Sequence, residues 1–273
     1  MTDLRSIGPV MLVGAGKMGM ALAAGWLDAG LPPTNLILVD PAPGIPALQL
    51  AEDYGLTIHR EAAGLEPNVL VLAVKPQIIG QVMEGLKAVV GPHTLVLSIA
   101  AGISLARLSA GLGTTRVVRT MPNTPAQIGK GITGAVAGAD TDEADRAAAE
   151  ALLAAAGHTV WFEEEGALDA VTAVSGSGPA YVFNLVEALA AAGEQQGLDP
   201  AIALDLARWT VIGSAALMEA DPAHPSVLRH NVTSPNGTTA AALAVLMAED
   251  GLTPLMARAV DAARKRSEEL GRG

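Results

Sequence analysis

Val10-Met11-Leu12-Val13-Gly14-Ala15-Gly16-Lys17-Met18-Gly19 is the stretch that decides the fold. Four apolar residues run without a polar break, as in a strand buried on both faces, and a Gly-x-Gly-x-x-Gly turn follows at once. Met18–Ala29 then has helical character. In such a strand-turn-helix unit the first glycine permits the tight turn and the second lets the backbone approach a pyrophosphate. The third allows close helix–strand packing. N–H groups at the helix start face the anion, aided by the positive end of the helix dipole. Gly14, Ala15, Gly16, Lys17, Met18 and Gly19 are therefore candidate dinucleotide-binding residues; a glycine-rich turn without a ligand is the plainer alternative.

Outward from this unit, apolar runs recur at Leu36–Val39, Val69–Val74, Leu95–Ile99, Arg116–Val118 and Ile132–Val136, with a last strand expected at Thr159–Phe162. Helical stretches at Ala47–Tyr54 and Ile78–Val89 lie between them. Strand alternating with helix predicts an α/β domain with a doubly wound, parallel, Rossmann-like sheet. The second strand ends at Asp40, a little beyond the usual ~20 residues from the first glycine. An acid there bonds the adenosine ribose 2′-OH and favours NAD over NADP, and a solvated turn aspartate explains it equally well. Pro41-Ala42-Pro43-Gly44 supplies no Lys or Arg for a 2′-phosphate.

Ligands of open α/β sheets lie beyond the carboxyl ends of the strands. That makes Ala73, Val74, Lys75 and Pro76 after the third strand, and Asn123 in Met121-Pro122-Asn123-Thr124-Pro125 after the fifth, further cofactor-binding candidates. Asn123 offers both a donor and an acceptor. A strand-exit turn needs no such explanation on its own.

From Ala167 onward the chain changes character, with helical segments expected at Ala180–Gln196, Pro200–Met218, Thr238–Ala248 and Pro254–Leu270 and no convincing strand. Asp199 reads as an N-cap with Pro200 at the first helical position. The division expected is a dinucleotide-binding domain over residues 1–164 and an all-helical domain over 165–273, whose alanine-rich helices suit burial against a second copy. Two polar, glycine-containing segments precede helices. Val174-Ser175-Gly176-Ser177-Gly178-Pro179 reads as a capped helix start or as a substrate-facing terminus. Val232-Thr233-Ser234-Pro235-Asn236-Gly237-Thr238-Thr239 stacks hydroxyls and backbone N–H groups in a way that suits a small carboxylate.

Composition narrows the partners. With 28 acidic against 17 basic residues, a net charge of −11 and 3% aromatics, a nucleic-acid partner is not expected. Zero cysteines exclude disulfides, thiolate metal sites and a Cys nucleophile, and point to a cytoplasmic home. The five histidines are scattered, so no metal site is expected. A mean hydropathy of +0.37 invites a membrane reading. The uncharged stretch Ala88–Ala106 is broken by Gly91, Pro92, His93, Thr94, Ser98, Gly102 and Ser104, so no transmembrane span is expected. Asp3 offsets Arg5 ahead of the first apolar run, unlike the basic leader of a signal peptide.

Taken in order, these motifs resemble the pyrroline-5-carboxylate reductase family over essentially the whole chain. The most specific pieces are Ala170-Val171-Thr172-Ala173-Val174-Ser175-Gly176-Ser177-Gly178-Pro179-Ala180-Tyr181 and Thr233–Thr239, supported by Met121–Pro125 and Ala73–Pro76. The resemblance implies hydride transfer from NADPH or NADH to the C=N carbon of L-1-pyrroline-5-carboxylate, giving L-proline. It also implies a dimer through the helical domain, often assembled further into a decamer, with the active site between the cofactor domain of one subunit and helical domains of the dimer. By similarity, Val232, Thr233, Ser234, Gly237, Thr238 and Thr239 would bind the substrate, with Thr239 catalytic at the ring nitrogen and Ser175 shaping the pocket. Three positions depart from the family pattern: Lys17 for Asn, Asn236 for the first of two glycines, and Pro41 for a basic or small polar residue. A related imine or β-hydroxyacid reductase is the alternative, although Ala180–Leu198 lacks the lysine expected of the latter. A nucleotide-binding regulatory protein without turnover is a second.

Overall fold

The computed structural model describes residues 2–271; residues 1 and 273, the outer limits of the two expected domains, lie outside them. The chain begins with β1 (Val10–Val13), α1 (Lys17–Asp28), β2 (Leu36–Val39), α2 (Ile45–Tyr54), β3 (Ile58–His59), β4 (Val69–Leu72) and α3 (Ile79–Leu86). It continues with β5 (Leu95–Ser98), α4 (Leu105–Leu112), β6 (Val117–Met121), β7 (Gly131–Ala137), α5 (Glu143–Ala154) and β8 (Gly157–Trp161). The remainder is helical: α6 (Ala167–Val171), α7 (Gly178–Gln195), α8 (Pro200–Ala220), α9 (Pro225–Asn231), α10 (Thr238–Leu246) and α11 (Leu252–Gly271).

The strands form one sheet in the order β3-β2-β1-β4-β5-β6-β7-β8. Every residue of β1, β4 and β5 is buried. Alternate side chains serve opposite faces. Leu12, Val71 and Leu97 join Trp26 and Leu152 on one side, and Met11, Leu70 and Val96 join Ile79, Met83 and Leu108 on the other. Each such side chain contributes about 1.5–3 kcal/mol by leaving water. Trp26 is fully buried and donates its indole N–H to the Leu152 carbonyl at 2.8 Å, so α1 and α5 are pinned together without an orphaned polar atom.

One pairing departs from the parallel expectation: β6 and β7 are antiparallel. A parallel return needs a crossover of roughly a dozen residues or more, and only the segment 122–130 joins these strands. β6 also runs on to Met121, beyond its apolar residues. Thr120 tolerates burial by donating its hydroxyl to the Ser98 carbonyl at 2.9 Å. Arg119 does so by pairing with Glu165 at 2.6 Å, whose same carboxylate oxygen accepts from the Leu105 N–H at 2.7 Å. That carboxylate ties the end of β6 to the start of α4, and so fixes the strand exit from which Met121–Pro125 leaves the sheet.

The described residues divide into two compact units, one holding the sheet through Gly176 together with the chain from Arg264 onward, the other Ser177–Ala263. Residues 165–176, grouped from sequence with the helices, pack on the sheet. A Cβ on Gly134 of β7 would lie 2.8 Å from Val171 and 3.1 Å from Leu168, so this glycine is what admits α6. The last turns of α11 dock on the same unit, where the buried Ser267 donates to Asp169 at 2.6 Å.

In the second unit, Asp199 caps α8 as expected, accepting from the Ala201 N–H at 2.9 Å. The buried apolar residues of this unit are Ala190, Ala203 and Ala207, whereas Phe183, Leu206, Trp209 and Val245 are exposed. By length and composition alone, α8 is apolar enough to cross a membrane. Asp205 and Arg208 interrupt it, so a search for uncharged runs passes it over.

Candidate active site

The glycine turn is shaped by backbone that leaves no room for side chains. Gly14 has φ +102°, a conformation L residues rarely adopt, and a Cβ there would lie 2.6 Å from the Ala73 carbonyl oxygen and 2.9 Å from Val74. The turn is held from both sides, by Gly14 N–H to Val39 C=O at 2.9 Å and Ala73 N–H to Val13 C=O at 2.8 Å. A Cβ on Gly19 would meet the Gly14 carbonyl, so α1 starts directly against the turn. Gly16 differs from both: a Cβ there would meet nothing within 4 Å. It is the N-cap of α1 and no side chain caps the helix, so first-turn N–H groups face open space that a Cβ would enter. These residues fit a dinucleotide pyrophosphate.

Asp40 takes a role that sequence reasoning did not weigh. One carboxylate oxygen accepts from the Ala15 N–H at 2.7 Å and the other from the Ala42 N–H at 2.8 Å, so the side chain clasps the glycine turn to the end of β2. Lys75 is exposed and precedes the turn Pro76–Ile78. The side-chain oxygen of Asn123 accepts from the Ile132 N–H at 3.0 Å, leaving its NH₂ group as a donor at the end of β6.

Val174–Gly176, within the segment expected as a helix start, is already helical before α7 begins. Residues Thr172–Gly176 form a π-helical turn that joins α6 to the start of α7. Thr172 and Ser175 donate their hydroxyls to the carbonyls of Leu168 and Val171 at 2.7 and 3.0 Å, giving carbonyls of the widened turn partners from within it, and Ser177 at the start of α7 makes no side-chain cap. Such turns concentrate at functional sites. A Cβ on Gly176 would come within 2.7 Å of the Met121 side chain, so the fold brings Ser175–Gly176 to the Met121–Pro125 strand exit.

The second unit presents the other candidate residues. Thr233 donates its hydroxyl to the Arg229 carbonyl at 2.6 Å, closing the end of α9. Asn236 has φ +58°, the one non-glycine left-handed residue among those described, and the Gly237 N–H donates to the Ser234 carbonyl at 3.1 Å. Gly237 is the N-cap of α10 with no side-chain cap. Thr238 and Thr239 therefore occupy an uncapped first turn, and Val232 and Ser234 are exposed. Left-handed backbone is strained for L residues but mild for Asn. Asn236→Gly should keep turnover within about twofold and raise the urea unfolding free energy by ~0.5–1 kcal/mol. A fall in stability would mean that the Asn side chain itself holds the turn.

A sheet with a glycine cradle at its strand ends, followed by a separate helical unit rich in exposed apolar residues, is the arrangement of a dinucleotide-binding protein with a helical unit suited to association. Residues 165–270 match the family model for pyrroline-5-carboxylate reductase dimerisation, and residues 9–102 match that for NADP oxidoreductase, coenzyme F420-dependent. The chain is 40% identical to the pyrroline-5-carboxylate reductase of Pseudomonas aeruginosa over 96% of both chains. It is 38% identical to that of Arabidopsis thaliana over 96% of this chain and 95% of the other. The solved structure of the Coxiella burnetii enzyme superposes with a TM-score of 0.91 at 33% identity, covering 97% of this chain and 99% of that one. The Plasmodium falciparum enzyme, solved with NADP bound, superposes with a TM-score of 0.80 at 28% identity, covering 96% and 98%. The chain belongs to the pyrroline-5-carboxylate reductase family, and it is an NAD(P)H-dependent oxidoreductase.

Proposed function

We propose that Gly14–Gly19, Ala73–Pro76 and Asn123 hold the dinucleotide, and that Val232–Thr239 holds the carboxylate of L-1-pyrroline-5-carboxylate while the C=N bond is reduced to give L-proline. What supports this reading is the presence in one chain of a glycine cradle fit for a pyrophosphate and an exposed hydroxyl- and amide-rich turn into α10. When bound at these residues, NADPH or NADH would supply the hydride for the C=N carbon. The chain supplies position. Uncapped N–H groups of Thr238 and Thr239 face the carboxylate, and the Thr239 hydroxyl bonds the ring nitrogen as it becomes an amine. The half-buried Ser175 narrows the pocket on the nicotinamide side. A protonated cyclic imine is already electrophilic, so orientation and exclusion of water suffice and no strong general base is required.

The exposed apolar helices of the second unit are assigned to a second copy of the chain, with assembly to a decamer as the larger form, and the reaction to the cytoplasm. Purified protein mixed with pyrroline-5-carboxylate and NADPH or NADH should consume the reduced dinucleotide and form proline in equal amounts. Absence of proline with both dinucleotides, at protein concentrations where sedimentation shows an assembled species, would overturn the reading.

A further inference from the structure

We propose that Arg60 is the residue that recognises the 2′-phosphate of NADP(H), an inference that rests on the dinucleotide reading of the glycine cradle. In sheets of this type the adenosine ribose lies at the carboxyl end of the second strand. Here the connection after β2, Pro41-Ala42-Pro43-Gly44, contains no cation. Asp40 at the strand end does not supply recognition of a 2′-phosphate either, since it is an anion and both its oxygens are engaged by the amides of Ala15 and Ala42. A cation for a 2′-phosphate has to come from a neighbouring element.

The neighbour is β3. It pairs in parallel with β2 in the register Leu38 with Ile58 and Val39 with His59, and the Asp40 N–H donates to the His59 carbonyl at 2.9 Å. Parallel strands lie about 4.8 Å apart. The residue after His59 therefore leaves the sheet beside Asp40, at the same carboxyl edge, and that residue is Arg60, exposed to solvent. Guanidinium offers paired N–H donors matched to phosphate oxygens and stays charged at any working pH. The half-buried His59 is a second basic group at this edge, and the exposed Glu61 follows Arg60. In a chain of net charge −11 a dianionic group needs such a local cation.

The test uses equilibrium binding to the intact protein, by calorimetry, of NADP⁺, NAD⁺ and the fragment 2′,5′-ADP, which carries the 2′-phosphate without a nicotinamide. Arg60→Gln should weaken NADP⁺ and 2′,5′-ADP about tenfold or more while leaving NAD⁺ within about twofold, and Arg60→Lys should fall between. Asp40→Asn should weaken NADP⁺ and NAD⁺ together, because it disturbs a turn that both use. If Arg60→Gln weakens both dinucleotides equally, or neither, the proposal is wrong while the cradle stands. If the wild-type protein binds neither dinucleotide, the proposal and the cofactor reading fail together.

Discussion

Gly14→Ala should abolish measurable dinucleotide binding and cost the fold on the order of 3 kcal/mol. Two penalties coincide at this position. The left-handed φ of +102° disfavours any Cβ, and that Cβ would be driven to 2.6 Å from a backbone carbonyl. The carbonyl cannot retreat, because Ala73 is the first residue beyond β4 and its N–H is bonded to Val13. Relief requires moving β1 against β4, at the centre of a sheet buried on both faces. Gly16→Ala is the matched control: its Cβ enters open space, so stability should change little while affinity falls by at least tenfold from the loss of close backbone approach. Equal effects of the two substitutions on urea unfolding, or NADP⁺ affinity retained in Gly14→Ala, would refute this account of the turn.

Thr239→Val should lower turnover about a hundredfold or more with NADPH affinity unchanged within twofold. Valine keeps the shape and branching of threonine and removes only the hydroxyl, so the half-buried start of α10 should fold as before. Thr239 lies in the second unit, apart in sequence from every cradle residue, which is why dinucleotide affinity should not respond. Thr239→Ser, which restores the hydroxyl, should recover much of the rate. Undiminished turnover in the valine variant would remove Thr239 from the chemistry, whereas equal loss in valine and serine variants would mark it as a packing residue.

What could be read in advance divides along physical lines. β1 and the glycine turn were legible because burial on both faces forces an uninterrupted apolar run and the tight turn forces glycine. β6 beyond Val118 was hidden because Arg119 and Thr120 are polar, and their partners Glu165 and Ser98 are distant in sequence. α5 does carry a local signal, the reciprocal capping box of Asp142 and Asp145, but its alanine-rich body has no apolar period to accompany it. β3 has two residues and therefore no period at all, so its delivery of Arg60 to the end of β2 depends wholly on tertiary pairing. The chemical type of Asp40 is plain in the sequence, but its direction is not: a ribose or solvent would suit the carboxylate equally, and only the folded backbone brings the Ala15 N–H to it. The Ser-Gly segment reads as the capped or substrate-facing start of a helix because Ser, Gly and Pro favour that position, whereas back-bonded hydroxyls make it a π turn continuous with α6.

The second unit carries a cost that the first does not. Its own interior consists of three small alanine side chains, Ala190, Ala203 and Ala207, among the buried apolar residues described, and alanine removes little area from water. A unit so poorly supplied borrows its hydrophobic free energy from association, so folding and assembly become one equilibrium. Its unfolding midpoint should then rise with protein concentration, and dilution becomes a denaturant in its own right.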